Sequence, residues 1–521
     1  MSAAEIWTRP WAGFVRARRH ALDGDAAPPD GYKGPLWLAG EGSSPVPVNG
    51  RPGYAAPVAG YGRGARTLGL LPLPAGVAPL LLPDGVRLFQ TDAARKWRLG
   101  VEPETEEEKA AAALTARTRD VWDRIEDMQV SLADPKELWT GLRDRWLNDA
   151  ERLPHMHLIV KQARALKHVI DALERAPRRV LRRTHRMLPV ARVQEIDRRS
   201  MVWSARQPGE TLAERAGDAQ RLLAVAREES FDTLENRVLR AYAELGAAHA
   251  RDYAARNRRR KASERGRRVA EFGLRLAGLA RDLAAKGVRK AEADVAPNFV
   301  LLEDARYREI WSAWRDLLGN DSKEDDLWRW QARSWEEFAA LAVIVALLTL
   351  PGARLLAAAP VRFREEQDRG LWIESANPMV TVHLPELKTV VEAQVRLERP
   401  GDWRCDLAAC AWLRFERTDR PENPPRNVAI WPIWSPDGGL PRGEVREVAT
   451  VVDLARRGAA GATTFSRAIV IRPAEAGGDA DFQVEGRGVT VSLGTEGAAL
   501  RDGLTTLGEL LDETFRREAA F

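Results

Sequence analysis

At 521 residues, 45% hydrophobic and 30% charged, the chain is long enough for two to four domains and ordinary in composition for a soluble globular protein. Its net charge of +5 is unevenly spread, because residues 151–270 hold 28 Lys and Arg against 15 Asp and Glu. Two cysteines, a start without a signal-peptide plan and a longest apolar run (338–350) too short for a bilayer argue against secreted, disulfide-stapled and membrane-spanning classes. The expected location is the reducing cytoplasm, with no membrane partner.

Residues 1–100 are rich in Gly and Pro and carry short apolar runs such as Gly34-Pro-Leu-Trp-Leu38 and Thr67-Leu-Gly-Leu-Leu-Pro-Leu73, which predicts a small β domain. Residues 101–300 predict a helical, basic middle region. Glu104 to Asp127 starts with Thr105 and a run of glutamates that complements the helix dipole. Leu138–Leu147 and Leu158–Leu173 keep helical periodicity, the latter through Leu158, Val160, Ala163, Leu166, Val169 and Leu173. Pro177 and Pro189 bracket Arg178–Arg186. Leu222–Ala250 and Arg267–Lys286 read as two long helices joined by the basic stretch 256–261, forming a helical hairpin or arm.

Residues 301–521 read as an α/β domain with a mixed sheet. An apolar helix over 335–349 precedes strands at 371–374, 379–384, 389–397, 403–415 and 427–434. A helix over 445–455, strands at 467–471 and 489–493, and an amphipathic helix over 504–515 complete it. The fold class is therefore multidomain α+β. Cys405 and Cys410 fall in one expected strand, at a spacing that favours neither a disulfide nor a metal pair. The sequence has no Walker loop, no Gly-x-Gly-x-x-Gly after a strand, no Gly-x-Ser-x-Gly and no metal-ligand spacing around His155 and His157, so no firm cofactor follows.

Three groups of residues carry a resemblance. Val180-Leu-Arg-Arg-Thr-His-Arg-Met-Leu188 with Val193-Gln-Glu-Ile-Asp-Arg-Arg-Ser-Met201 resembles a helical-linker pattern. Glu229-Ser-Phe-Asp-Thr-Leu-Glu-Asn-Arg237 is similar to an entry motif into a long helix, and is the most specific of the three. Arg467-Ala-Ile-Val-Ile-Arg-Pro473, Gly488-Val-Thr-Val-Ser-Leu493 and the leucine-rich final helix match in style. Over residues 100–521 these stretches resemble the McrC-like restriction-endonuclease proteins of prokaryotic phage defence. The resemblance implies a small β-rich N-terminal region, a helical middle, a C-terminal PD-(D/E)xK nuclease core with a restriction-endonuclease-like mixed sheet, DNA as a partner, and a hexameric AAA+ motor or helicase-type partner.

In such a core the resemblance implies a helix glutamate, a strand aspartate and an acid-x-lysine pair, which hold Mg²⁺ and poise the attacking water. Glu336 or Glu337 fits the helix acid, although Ser334-Trp-Glu-Glu337 is also a capping arrangement. Asp406 fits the strand aspartate, as a remnant metal ligand or as half of a structural ion pair. Where acid-x-lysine belongs, the chain reads Asn427-Val-Ala-Ile-Trp-Pro-Ile-Trp434. Glu392 and Gln394 offer an acid-x-glutamine rescue, but precede Asp406. Mg²⁺ is expected only if that core is active.

The expectation is therefore a nuclease-like subunit without cutting chemistry, with two alternatives: an active Mg²⁺-dependent endonuclease, and an adaptor that does not touch DNA. Arg178, Arg179, Arg182, Arg183, Arg186, Arg258, Arg259, Arg260 and Lys261 are the candidate phosphate contacts, against the alternative of solvated helix faces. Asp232, Glu235, Asn236 and Arg237 are expected to be structural: Asp232 or Thr233 caps the helix, and Glu235 and Arg237 pin the helical arm to the core.

Overall fold

A computed structural model describes residues 4–15, 18–29, 32, 34–41, 46–49, 51–53, 56–58, 68–73, 79–89, 97, 102–131, 137–148, 158–257, 263–366, 370–374, 378–397, 402–436, 443–458, 464–475 and 480–519. The fold is mixed α/β, with a small N-terminal β region, a helical middle and a C-terminal mixed sheet. By contacts the chain divides into unit one, residues 1–152 and 322–521, and unit two, residues 153–321. Among the described residues no helix is long and apolar enough to cross a membrane.

Unit one begins with an antiparallel sheet of five short strands: β1 (Ala4–Trp7), β2 (Arg19–Leu22), β3 (Trp37–Glu41), β4 (Ala56–Val58) and β5 (Leu68–Pro72), in the order β2-β1-β3-β5-β4. Successive strand residues point to opposite faces. Ile6 and Leu38 thus enter a small core with Leu22, Leu71 and Leu80, while Trp7 and Trp37 enter a different one. Helices α1 (Glu106–Ser131) and α2 (Leu138–Leu147) follow. At the start of α1, Thr105 Oγ1 accepts from Glu108 N while Glu108 accepts from Thr105 N, a reciprocal cap.

Unit two opens with α3 (Leu158–Ala165) and α4 (Lys167–Arg175), two helices where the apolar stripe read as one. Next come β6 (Val180–Pro189), α5 (Arg198–Ala205) and β7 (Arg221–Ser230). Strands β6 and β7 pair antiparallel over ten residue pairs, as an isolated two-stranded ribbon. This corrects two readings: residues 180–188 are not a helical linker, and 222–230 are not the start of a helix. Cross-strand pairing overrides weak local preference here, with Arg182 opposite Glu228 and an Arg186–Glu228 ion pair at 2.6 Å. The long helix is α6 (Leu234–Arg256), whose cap is Thr233: its hydroxyl accepts from Asn236 N. Helix α7 (Glu264–Ala285) packs along it, and Gly273 admits this approach, since a Cβ there would lie 2.6 Å from Ala250 Cβ. Helix α8 (Ala305–Arg329), through its residues up to Asp321, closes a core with Ile159, Leu173, Tyr242, Leu276, Tyr307 and Trp314.

The chain then completes unit one. Helix α9 (Gln331–Leu348) is apolar around its circumference, and almost all of it is buried. Strands β8 (Arg354–Ala358), β9 (Val380–Leu384), β10 (Thr389–Val395), β11 (Ala411–Arg417) and β12 (Arg426–Pro432) run antiparallel to one another in sequence. Helix α10 (Glu444–Gly458) crosses over to β13 (Phe465–Pro473), parallel to β12; a hairpin of β14 (Phe482–Glu485) and β15 (Gly488–Leu493) places β15 parallel to β13, and α11 (Gly497–Ala519) ends the fold. The eight-stranded order is β8-β9-β10-β11-β12-β13-β15-β14. One face packs on α1, α2, α9 and α11; the other carries Trp412, Trp431 and Val470 against α10 and against Trp7, Trp11 and Trp37. The expected strand over 403–415 is corrected as well. Residues Trp403–Leu407, with Asp406, form a 3-10 turn, and the strand starts only at Ala411, so the two cysteines do not share a strand.

Candidate functional site

The carboxylates that would form a nuclease centre lie in unit one, and basic partners meet those whose side chains are described. On α9, Glu337 accepts the Ile373 N–H at 3.1 and 3.2 Å through its two oxygens, and also the Arg396 guanidinium. Arg396 in turn donates to the Ile373 carbonyl at 2.6 Å. Glu337 thus clips the strand segment at Ile373 to α9. Glu336 faces Arg333 at 3.6 Å. Burial pushes its carboxyl above the usual range against the pull of Arg333 and Arg396, and burial beside Glu336 pushes the Cys410 thiol up to about 12.

Glu392 on β10 pairs with Arg414, its direct neighbour on β11, at 2.9 Å. Gln394 donates to Glu392 at 3.2 Å and accepts from Arg404 at 2.7 Å; Arg404 is held in turn by Asp402 at 2.7 Å. The backbone of Asp406 lies in the 3-10 turn, and its side chain is outside the described residues. Strand β12 alternates between two cores: Val428 and Ile430 face one, Ala429 and Trp431 the other. Trp431 meets Trp11 at 5.2 Å edge-on and donates to the Leu407 carbonyl at 2.8 Å. Among the described residues, no three His, Cys, Asp or Glu side chains gather as a metal site. Glu337 and Glu392 are each engaged by an arginine, and an ion pair competes with metal ligation. Sequence reasoning missed the arginines that answer the acids: Arg396, Arg404 and Arg414 are visible in the sequence, but not the group that each one meets.

Open α/β sheets usually bind ligands beyond the carboxyl ends of their parallel strands. Here Glu444, at the start of α10, is held by Arg472 at 2.5 Å and by Arg9 at 2.6 Å. Burial raises the Glu444 carboxyl, but hydrogen bonding to Arg472 and the charge of Arg9 outweigh it and hold the group below its usual range. Arg18 pairs with Glu447 one turn on, at 2.6 Å. The chain's own N-terminal residues therefore occupy the position at the start of α10.

In unit two the motif residues form a clamp. Asp232 takes both Arg237 nitrogens at 2.6 Å, and the backbone N–H and side chain of Arg289 at 3.1 Å. Arg237 first, and then Arg289, hold its carboxyl well below the usual range against partial burial. Asn236 donates to the carbonyls of Arg178 at 2.6 Å and Phe231 at 2.7 Å, and accepts from Tyr307 at 2.8 Å. Glu235 takes Asn298 at 2.7 Å and Arg178 at 3.2 Å. These partners lie in unit two, where the clamp joins ribbon, long helix and the 289–307 segment to one another.

The ribbon arginines have partners too. Arg179 meets Glu229 at 3.0 Å, Arg182 donates to the Asp232 carbonyl at 2.7 Å, Arg183 pairs with Glu195, and Arg186 pairs with Glu228. Arg258, Arg259, Arg260 and Lys261 lie outside the described residues. Near the ribbon, Leu181 is 65% exposed and Met201 on α5 is 57% exposed.

Comparison with known proteins gives a limited picture. A family described as a domain of unknown function (DUF2357) matches residues 118–314, less than half of the chain. No curated protein matches. Among solved structures, the chain is similar to a chain of the cryo-EM structure of the Thermococcus gammatolerans McrBC complex, at 14% identity over 48% of this chain and 60% of that one, with a TM-score of 0.18. It is also similar to a chain of the refined half-complex from the tetradecameric assembly of Thermococcus gammatolerans McrB AAA+ hexamers with bound McrC, at 13% identity over 87% of this chain and 85% of that one, with a TM-score of 0.20.

Proposed function

We propose that this chain is an McrC-like subunit of a prokaryotic restriction-type defence complex, with a nuclease-type core that has lost its cutting chemistry. It binds DNA and couples to an AAA+ motor. The observation that carries the reading is the answering of acids by arginines: Glu337 by Arg396 and Glu392 by Arg414, beside a β12 whose Val428–Trp431 stretch is packed in two cores. A metal centre needs carboxylates free to ligate, and an ion pair competes directly with that. The motif 229–237 supports the McrC-like part, because it builds the base of an exposed ribbon that suits a docking element. McrB AAA+ hexamers with bound McrC are the assembly named for one of the similar structures; here, an AAA+ partner belongs to the proposal.

A plasmid-cleavage assay with Mg²⁺ or Mn²⁺, beside Asp406→Ala, tests the core. No cutting is expected. Metal-dependent cutting lost in the Asp406 variant would overturn the reading and make the chain an endonuclease. Gel retardation at two salt concentrations tests the DNA arm, and salt-sensitive binding is the expected result. Retardation at neither concentration would favour the adaptor.

A further inference from the structure

The parallel strands β12, β13 and β15 begin at one edge of the large sheet, and α10 and α11 end beside them. Arginines collect there. Arg426 opens β12, Arg456 lies in the last turn of α10, and Arg487 immediately precedes β15. Arg426 and Arg487 converge on one carboxylate, Glu518, at 2.7 and 3.5 Å, and that side chain is only 8% exposed. Arg456 donates to the Phe465 carbonyl at 2.7 Å and Arg487 to the Ser466 carbonyl at 2.9 Å, so the first residues of β13 hold both in place. Residue 466 is a bulge against β12, and beyond it the buried Arg467 reaches Thr514 at 2.9 Å.

Arg426 and Arg487 share the single carboxylate Glu518, and Arg456 lies within charge range of both. Burial, then Arg487 and Arg426, make Arg456 a weaker base than an ordinary guanidinium, and Glu518 and Asp453 do not cancel the effect. Arg467 is weakened in the same sense by burial and by Arg517, against Glu513 and Glu518. Helix C-termini attract cations, which explains part of the placement. It does not explain why cations should crowd until they repel one another. A shallow recess lined by Thr389, Glu416, Arg417, Asn423, Arg426 and Glu518 among others opens beside Arg426.

We propose that this arginine edge is an oxyanion site that takes a phosphodiester group of a nucleic-acid strand, with Arg426, Arg456 and Arg487 as the contacts. The planar guanidinium fork suits phosphate oxygens, and an anion there relieves the mutual repulsion. The proposal rests on the DNA-binding part of the function proposed above, and locates that binding in unit one rather than on the ribbon.

The test is fluorescence anisotropy of the full chain with a labelled DNA duplex across a salt series. Arg426→Gln with Arg487→Gln should weaken binding about tenfold at low salt and flatten the slope of log affinity on log salt by about 2. Lysine at both positions should retain most of the affinity. Glu518→Gln, which removes the competing carboxylate, should tighten binding, an outcome that misfolding cannot mimic. Tight wild-type binding left unchanged by both the double variant and Glu518→Gln would overturn the proposal and leave the DNA-binding reading intact. No wild-type binding at low salt would overturn both. Inorganic phosphate separates the two sources: if it stabilises the wild type but not the double variant while DNA affinity is unaffected, the site takes free phosphate and the nucleic-acid assignment fails.

Discussion

Asp232 sits where three segments of unit two meet: Arg237 on α6, Arg289 beyond α7, and Arg182 of the ribbon through the Asp232 carbonyl. Asp232→Asn should cost about 2 kcal/mol, the scale of hydrogen bonds to a charged group, read by chemical denaturation. The direction of its carboxyl shift fixes the pH dependence. A folded carboxyl held below the ordinary aspartate value of about 3.9 stabilises above that value and loses the contribution as pH falls toward its folded value. Wild type should therefore lose thermal stability between neutral and strongly acidic pH, and Asp232→Asn should lose less over the same range. An equal loss in both would remove Asp232 from the account. Cys410 gives a second residue-scale expectation. With its thiol pushed up to about 12 by burial and by Glu336, it should react with a thiol reagent at mildly alkaline pH only after unfolding.

Strand β12 shows at the scale of an element what the sequence disclosed and what it hid. Asn427–Trp434 declared itself as apolar and lysine-free, and its order between β11 and the α10 crossover was readable from alternation and helical period. Its double-sided burial was not, because it depends on partners distant in sequence, such as Trp11 against Trp431 on one face and α9 on the other. Trp431→Ala should cost about 3–5 kcal/mol by denaturant unfolding, as for a large aromatic leaving a cavity. A cost near zero would mean that β12 is not the packed strand described. The ribbon failed to announce itself for a different reason. Leu222–Ala226 runs almost unbroken into the composition of α6, and only Asp232-Thr233 marks the boundary. Thr233 caps α6 while Asp232 clamps Arg237, so a helix start lies inside the span 222–250 that has the composition of a single helix. The basic partner of Glu392 was hidden as well, since Arg414 meets it only once β10 and β11 pair.

At the scale of the whole molecule, each unit has its own ionic fastening around its own core. In unit one, Arg9 and Arg472 share Glu444, whose side chain is 2% exposed, and Trp11 lies on Trp431; together they tie the N-terminal β region to the large sheet. Neutralising Glu444 leaves two buried guanidiniums facing each other, a loss of about 3–5 kcal/mol for a broken buried pair. In unit two the Asp232 clamp closes around the cluster of Tyr242, Leu276 and Tyr307. Separate cores with separate fastenings predict two calorimetric transitions rather than one. Glu444→Gln should lower one transition and Asp232→Asn the other, each leaving its counterpart within about a degree, as sites without shared partners behave additively. If either variant moved both transitions together, the two cores would be a single cooperative body, and a partner bound to one unit would stabilise the other by the same linkage.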